Sequence, residues 1–463
     1  MVAELRELVG ELRAMNAGFV ATISGLKESL AARDARIGEL EKLLEGSRRS
    51  GKRQAAPFSK GAPKDEPERP GRKSGGEHGR HGHRAVPVRV PDRELEAGLP
   101  SCCPGCGGTV VLEREEGQFQ IDMPPVRPVV TRFRVQVGRC SGCRRRVQGR
   151  HPEQTSDALG AAGSQVGPET KAFAAWLHYE LGLSFGKCAK VLARHGIEVT
   201  AGALCQAAQT TGELLAPIQA EIGRRLNEAK VVTADETGWR VNGRSAWLWL
   251  ATADGLTVYN VAEGRGYAEA CEVLDPDYAG VLVRDGWAPY RAFEQATHQS
   301  CCAHLLRRAV EMIDDNPGWA RGTPRQVKGM LGEALAARDL TPAEQATVAA
   351  DMIDRIELLA DQAHPHDPNR RLVKHLHNER HALFTFLTHP GVPATNYLAE
   401  QAVRPAVVNR KVSGGNRTWR GALTQSRLMT VMRTAAQQGT DAIDWLTAFA
   451  RAPGLGIPTL FTQ

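Results

Sequence analysis

The sequence predicts a multidomain chain built on an α/β core with a helical insertion, preceded by a coiled coil, a zinc ribbon and a helical region. Three observations carry this. A heptad seam fills the first 45 residues. Two Cys-x2-Cys pairs follow a basic, low-complexity stretch. From residue 229 the texture turns from helices to short apolar strands, two of them running into an aspartate. At 463 residues there is room for about three domains of ~150 residues.

The formal net charge is +7, and residues 46–84 hold eleven Lys/Arg against four Asp/Glu. The positive charge is therefore localised, which favours a polyanionic partner over a generally basic surface. No run approaches the ~18 apolar residues of a membrane span, and the N-terminus lacks a signal-peptide core, so no membrane partner is expected. Ten cysteines without a secretion signal do not read as a disulfide scaffold, and a reducing cytoplasm is the expected compartment.

Residues 1–45 read as a leucine-zipper-like dimerisation helix, with an amphipathic helix packed on its own chain as the alternative. Leu5, Leu12, Phe19, Leu26, Arg33 and Leu40 form one seam series, and Val9, Asn16, Ile23, Leu30, Ile37 and Leu44 the other. Ten of these twelve positions are apolar, and Asn16 is the buried polar residue that fixes register. Residues 46–92 contain too few apolar side chains to fold and read as a basic disordered linker. Arg48, Arg49, Lys52, Arg53, Arg72, Lys73, Arg80 and Arg84 within it are candidates to neutralise DNA phosphates, with a solvated tether as the alternative.

Residues 93–150 contain Cys103-Pro-Gly-Cys106 and Cys140-Ser-Gly-Cys143. A Gly-containing knuckle turns two thiolates toward one cation, so two knuckles separated by a hairpin-like stretch (TRFRVQVGRC) predict a structural Zn2+ ribbon. Arg144 and Arg145 extend the anion-facing surface. Residues 155–228 read as helices; 183–206 has the helix, glycine turn and helix of a helix-turn-helix, and an ordinary helical hairpin is the alternative.

In 229–440, strands are expected at 230–235, 245–252, 256–262 and 280–284, with a helix near 266–274 and helices thereafter. Three strands, a helix, a strand and further helices is the order of a ribonuclease H-like fold. Asp235 and Asp285 are expected at strand ends, and Glu400 on a later helix with Arg404 and Lys411 near its face. Such an oxygen-only set suits hard divalent cations and phosphoryl transfer. The 114 residues between Asp285 and Glu400 exceed a minimal core, so a helical insertion is expected at about 305–393. Residues 441–463 read as a C-terminal tail with one Trp445-centred helix.

This order of parts resembles the insertion-sequence 66 family of DDE transposases. The motifs that carry the likeness are the zipper, the linker RKSGGEHGRHGHR and the CPxCG…CxxC ribbon. They continue with ADETGW at 234–239, RDGWAPY at 284–290, CAHLLRR at 302–308 and NYLAEQAVRPAVVNRK. The resemblance implies that Asp235, Asp285 and Glu400 are the catalytic triad, with Mg2+ or Mn2+ as cofactor. Cys301 and His304 would be the family's Cys-x2-His, of undetermined role. Val407 stands where related recombinases carry a basic residue seven after the glutamate. The implied activity is metal-dependent cleavage at the terminal inverted repeats of an insertion sequence, followed by 3′-hydroxyl strand transfer. Double-stranded DNA, a homodimer or higher oligomer, and small accessory proteins of the element are the implied partners, in a bacterial cytoplasm at the nucleoid. A non-catalytic DNA-binding regulator, an inactivated relative and a ribonuclease H-like nuclease are the competing readings.

Overall fold

The computed structural model describes residues 86–123, 127–163 and 165–452, with Gly10, Met15, Asn16, Gly18 and Ile23. Those five are helical and exposed. The rest of the heptad seam, and all eight candidate cations between Arg48 and Arg84, lie outside the described residues. The chain divides into two compact units, residues 1–124 and 125–463.

In the first unit, residues 86–123 form no helix or strand and turn at Pro104–Cys106. The second unit begins with a small antiparallel ladder, β1 (Val137–Arg139) on β2 (Arg146–Gln148), with Gly138 opposite Val147. The hairpin was expected between the two knuckles. It lies instead around the second one, and residues 107–123 and 127–136 form no ladder. The alternating run there leaves its apolar side part-exposed, Phe133 37% and Val137 45%, and Val129 and Val130 before it are about nine-tenths exposed. Strands hold only where the knuckle itself brings them together.

Four helices follow: α1 (Pro168–Tyr179), α2 (Phe185–Arg194), α3 (Ala201–Leu214) and α4 (Ala216–Leu226). Ser184 Oγ caps α2 by accepting from Lys187 N, and Thr200 Oγ1 caps α3 by accepting from Ala203 N. Gly196, at φ +77°, makes the turn between them. Cys188, Leu192 and Leu204 form a local core under this pair, and Cys205 is half-buried.

The sheet has five strands: β3 (Val231–Val241), β4 (Arg244–Ala253), β5 (Leu256–Ala262), β6 (Val281–Arg284) and β7 (Thr297–Ser300). Their order is β5-β4-β3-β6-β7. The first three pair antiparallel through Asn242–Gly243 and Asp254–Gly255, all at positive φ, which are the dipeptides that two-residue hairpin turns require. β6 and β7 add in parallel. Strand β7 was not foreseen, because THQS has no apolar alternation.

Asp235 was expected at a strand tip. It lies within β3 instead, which runs on through Glu236, Thr237 and Gly238 because β4 pairs along that whole length, Asp235 opposite Leu250 and Val241 opposite Arg244. On its other edge β3 pairs with β6 only from Val231 to Thr233. Asp235 therefore sits where the sheet opens on one side.

One core joins the helical region to the sheet. Ala172, Tyr179, Leu215 and Ile222 pack in the same cluster as Trp249, Leu250 and Tyr259, so no packing boundary falls at residue 228. Trp445, Leu446 and Phe449 belong to it too. They lie on a helix, Ala442–Arg451, that packs against α1. The part of the expected tail that is described is thus core.

Between β7 and the helix bearing Glu400 stand α6 (Cys302–Asp315), α7 (Gly322–Ala336), α8 (Pro342–Ala360) and α9 (Asp367–Leu383), counting α5 as the short turn Tyr267–Ala270. They enclose a second core that includes Leu331, Met352 and Leu376 and reaches the sheet at Val281 and Val283. With the turn α10 (Thr385–Thr388), these helices fill the stretch where a helical insertion was expected. Helix α11 (Tyr397–Ser413) returns to the sheet and packs on β3 and β4, and α12 (Trp419–Gln437) covers β5.

Candidate active site

Strands β3 and β6 bring two of the expected carboxylates together. Thr233 is opposite Val283 in a parallel register, which sets Asp235 beside Asp285 just beyond the last ladder pair. Each is anchored by a backbone donor: Asp235 Oδ1 accepts from Glu236 N at 2.9 Å and Asp285 Oδ1 from Trp287 N at 2.8 Å.

Glu400 arrives from α11. That helix lays Ala399, Ala402 and Ala406 into the core against the sheet, side chains small enough for close approach, while Asn409 Nδ2 donates to His178 O on α1 at 3.0 Å. Tyr259 Oη donates to Ala402 O at 2.6 Å, and Arg410 donates to Thr237 Oγ1 at 3.1 Å and to Gly238 O. Beyond its C-terminus, Gly414 and Gly415 turn at φ +77° and +104°. They let Asn416 bridge to β3: Asn416 N donates to Arg240 O at 2.9 Å, and Trp239 Nε1 donates to Asn416 Oδ1 at 2.7 Å. The helix is thus pinned alongside β3 at several points.

His304, on the first turn of α6, links the glutamate to the aspartates. Its Nε2 is 3.7 Å from Glu400 Oε1. The contact with Cys301 and the charges of Glu400 and Asp285 together hold its imidazole above the ordinary range, against the effect of burial. Cys301 is buried and its Sγ accepts from Asn396 N at 3.3 Å, which ties the start of α6 to the start of α11. The Cys-x2-His pair thus joins the two helices.

Asp235 carries a large perturbation. Burial first, then the charge of Glu236 and that of Asp285, push its carboxyl up to about 7, against the Glu236 N–H and His304. Among the described residues, no group of three or more His, Cys, Asp or Glu side chains stands in metal-ligating geometry. The donor chemistry nonetheless fits a hard cation, because crowded, part-buried carboxylates that raise a neighbour's pKa are relieved by positive charge.

Two networks that sequence reading did not find support these residues. Glu236 is buried; its Oε1 accepts from Arg265 at 2.5 and 2.9 Å and its Oε2 from Tyr290 Oη at 2.6 Å. The Arg265 guanidinium lies between two indoles, 3.8 Å from the Trp287 ring centroid and 4.4 Å from that of Trp247. Burial raises the Glu236 carboxyl, partly countered by Tyr290 and Arg265. On the opposite side, Glu379 from α9 accepts from Arg284 at 2.5 Å and from Arg291 at 2.6 Å. Burial acts to raise Glu379, and the two guanidiniums, Arg284 foremost, overcome it and hold the carboxyl below its ordinary range. The one available signal was Arg284 itself, a charge closing the apolar run VLVR and therefore in need of a buried partner.

Arg404 and Lys411 are exposed on α11 and are not tied into these networks. The basic residue bound at the sheet is Arg410, which the sequence reading passed over.

The two knuckles, each within its own unit, share one local design. Cys103 N donates to Gly108 O and Gly107 N to Cys103 O; Cys140 N donates to Arg145 O and Arg144 N to Cys140 O. Gly107 and Arg144, each directly after the second cysteine, are both left-handed, at φ +75° and +59°. Backbone N–H groups of Gly105 and Cys106 lower the Cys103 thiol, and those of Cys143 and Gly142 lower Cys140. Amides aimed at sulfur favour thiolate, the form that ligates metal. Arg144 and Arg145 are exposed.

No described helix is long and apolar enough to cross a membrane. Residues 163–424, more than half the chain, match the family described as "Transposase IS66 family". A relative in Sinorhizobium fredii (strain NBRC 101917 / NGR234), named "Uncharacterized protein y4qI", is 23% identical, over 76% of this chain and 70% of its own length.

Proposed function

Since this chain belongs to the IS66 family of transposases, we propose that it cleaves DNA at the ends of its insertion sequence and joins the freed 3′-hydroxyl to target DNA. Asp235, Asp285 and Glu400 are the proposed catalytic carboxylates. The observation that carries this is the register that sets Asp235 beside Asp285, together with His304, which contacts Glu400 and feels the charge of Asp285. The strand order β5-β4-β3-β6-β7, antiparallel then parallel, supports a ribonuclease H-like core.

Magnesium or manganese held by these carboxylates would lower the pKa of the attacking hydroxyl and stabilise the leaving oxygen. The chain's own residues prepare for this. Burial and mutual repulsion keep Asp235 high in free energy until positive charge arrives. Arg265 and Tyr290 occupy both oxygens of Glu236, so that this fourth acid is held away from the reacting groups. Trp287 N–H fixes one oxygen of Asp285. No serine or tyrosine nucleophile is needed, because water and then the DNA 3′-hydroxyl attack phosphorus directly.

The thiolate-favouring knuckles support zinc ligation by Cys103 and Cys106 and by Cys140 and Cys143, and α2–α3 supports a helix-turn-helix contact with the inverted repeats. Further parts of the proposal are pairing through the N-terminal helix, phosphate contacts from the linker, accessory proteins of the same element, and action at the nucleoid in the cytoplasm. The test is a strand-transfer assay with purified protein, magnesium and the DNA ends flanking its gene. Joined products that vanish in Asp235→Asn are expected. Hydrolysis without joining would replace this reading by a nuclease, and an Asp235→Asn protein that still cuts would overturn the triad.

A further inference from the structure

A cleft of about 310 Å³ lies next to Asp285, and the insertion helices wall it: Asp285, Gly286, His304, Arg308 and His375 are among its lining residues. Arg308 follows His304 by four residues on α6, one turn along the same face. It is half-buried and makes no hydrogen bond or ion pair with any described residue, and both burial and the nearby Arg371 disfavour its charge. His375, on α9, lies directly over the backbone after Asp285; a Cβ at Gly286 would come within 2.5 Å of its Cε1. The His375 imidazole also makes no hydrogen bond with any described residue. Two other arginines of this region, Arg284 and Arg291, share the Glu379 carboxylate as an ion-pair partner. Arg308 is therefore a cation held in a partly dry wall with a like charge beside it and no counter-charge, an arrangement that an anion would relieve.

We propose that Arg308 and His375 form a phosphate-binding subsite that holds a phosphodiester of the DNA strand beside Asp285. This rests on the transposase reading above. A guanidinium fork matches two phosphate oxygens, and an imidazole supplies a third donor. The placement also answers an electrostatic problem: Asp235, Asp285 and Glu400 repel a phosphate, and a cation in the adjoining wall offsets that repulsion before chemistry begins. Asp285 itself lines the cleft, so a continuous strand bound there passes that carboxylate. A free phosphate ion gains nothing from that continuity.

The experiment uses the full-length protein and a fluorescein-labelled DNA duplex, read by anisotropy across a salt series without divalent ion. Arg308→Gln should weaken binding about tenfold and lower the slope of log affinity against log salt by about one. Arg308→Lys should keep the slope, and His375→Gln should weaken binding with little change of slope. Unchanged affinity and slope in an Arg308→Gln protein that melts like the wild type would sink the subsite; if that variant fails to fold, His375→Gln decides instead. Inorganic phosphate, added at matched ionic strength, should compete with DNA in the wild type and not in Arg308→Gln. Phosphate bound at Arg308 without displacing DNA would assign the subsite to free phosphate and overturn its role on DNA. Wild-type protein that shows these binding differences but never cleaves with magnesium would instead overturn the transposase reading alone.

Discussion

Replacing Asp235 by Asn tests the electrostatics of the site before any catalytic assay. The carboxyl stands at about 7 against an ordinary 3.8, because burial and the charges of Glu236 and Asp285 disfavour its ionised form. Below about pH 4, folded and unfolded chains both carry the proton. Between 4 and 7 the unfolded chain has lost it and the folded chain keeps it, so stability falls as pH rises; above about 7 the full cost is present. The displacement corresponds to about 4 kcal/mol. Solvent reaches the half-buried carboxylate through the open side of β3, and screening leaves about 2 kcal/mol. Asn, nearly isosteric and uncharged, removes this cost. In the absence of divalent ions, Asp235→Asn should melt higher than wild type at pH 8 by about 4 °C, taking about 2 °C per kcal/mol. The two should converge at pH 4. Magnesium should raise the wild-type melting temperature at pH 8 and leave the variant's nearly unchanged. A variant no more stable than wild type at pH 8 would refute the claim that Asp235 is a strained anion awaiting a cation.

Three other outcomes follow from the same geometry. Glu379→Gln strands the buried Arg284 guanidinium without a counter-charge and should cost about 3 kcal/mol in chemical denaturation; a loss below about 1 kcal/mol would mean that water solvates that pair. Gly415→Ala adds a Cβ against the Arg240 carbonyl at φ +104°, which should destabilise by about 2 kcal/mol or more and lower cleavage by loosening α11 from β3; full activity with an unchanged melt would remove that hinge from the account. The double variant Cys103→Ser, Cys140→Ser should lose bound zinc, measured by metal analysis, and bind end DNA more weakly; unchanged zinc content would refute the ribbon.

Much of the site was legible because its signals are local. The apolar strands that run into Asp235 and Asp285, and the helical stretch that carries Glu400, each report what a few neighbouring residues do. The same locality exposed the two cysteine knuckles and the helical insertion. It misjudged the length of β3, since whether a strand continues past a carboxylate depends on a partner strand, and β4 supplies one. It missed β7, whose THQS is held by its parallel neighbour and not by any pattern of its own.

What the sequence determined by itself was the family and which three carboxylates are the candidates. Only the tertiary structure decided what surrounds them. The Glu236–Arg265–Tyr290 network joins residues 29 and 54 positions apart, the Arg284–Glu379 pair residues 95 apart, and Trp239 meets Asn416 across 177. Contacts at such separations leave no periodicity in a chain, because each depends on where two distant elements are set by the register of the sheet and the packing of helices on it. The pKa of Asp235 belongs to the same class: it is fixed by burial and by charges just after β6 and on α6 as well as by its neighbour Glu236.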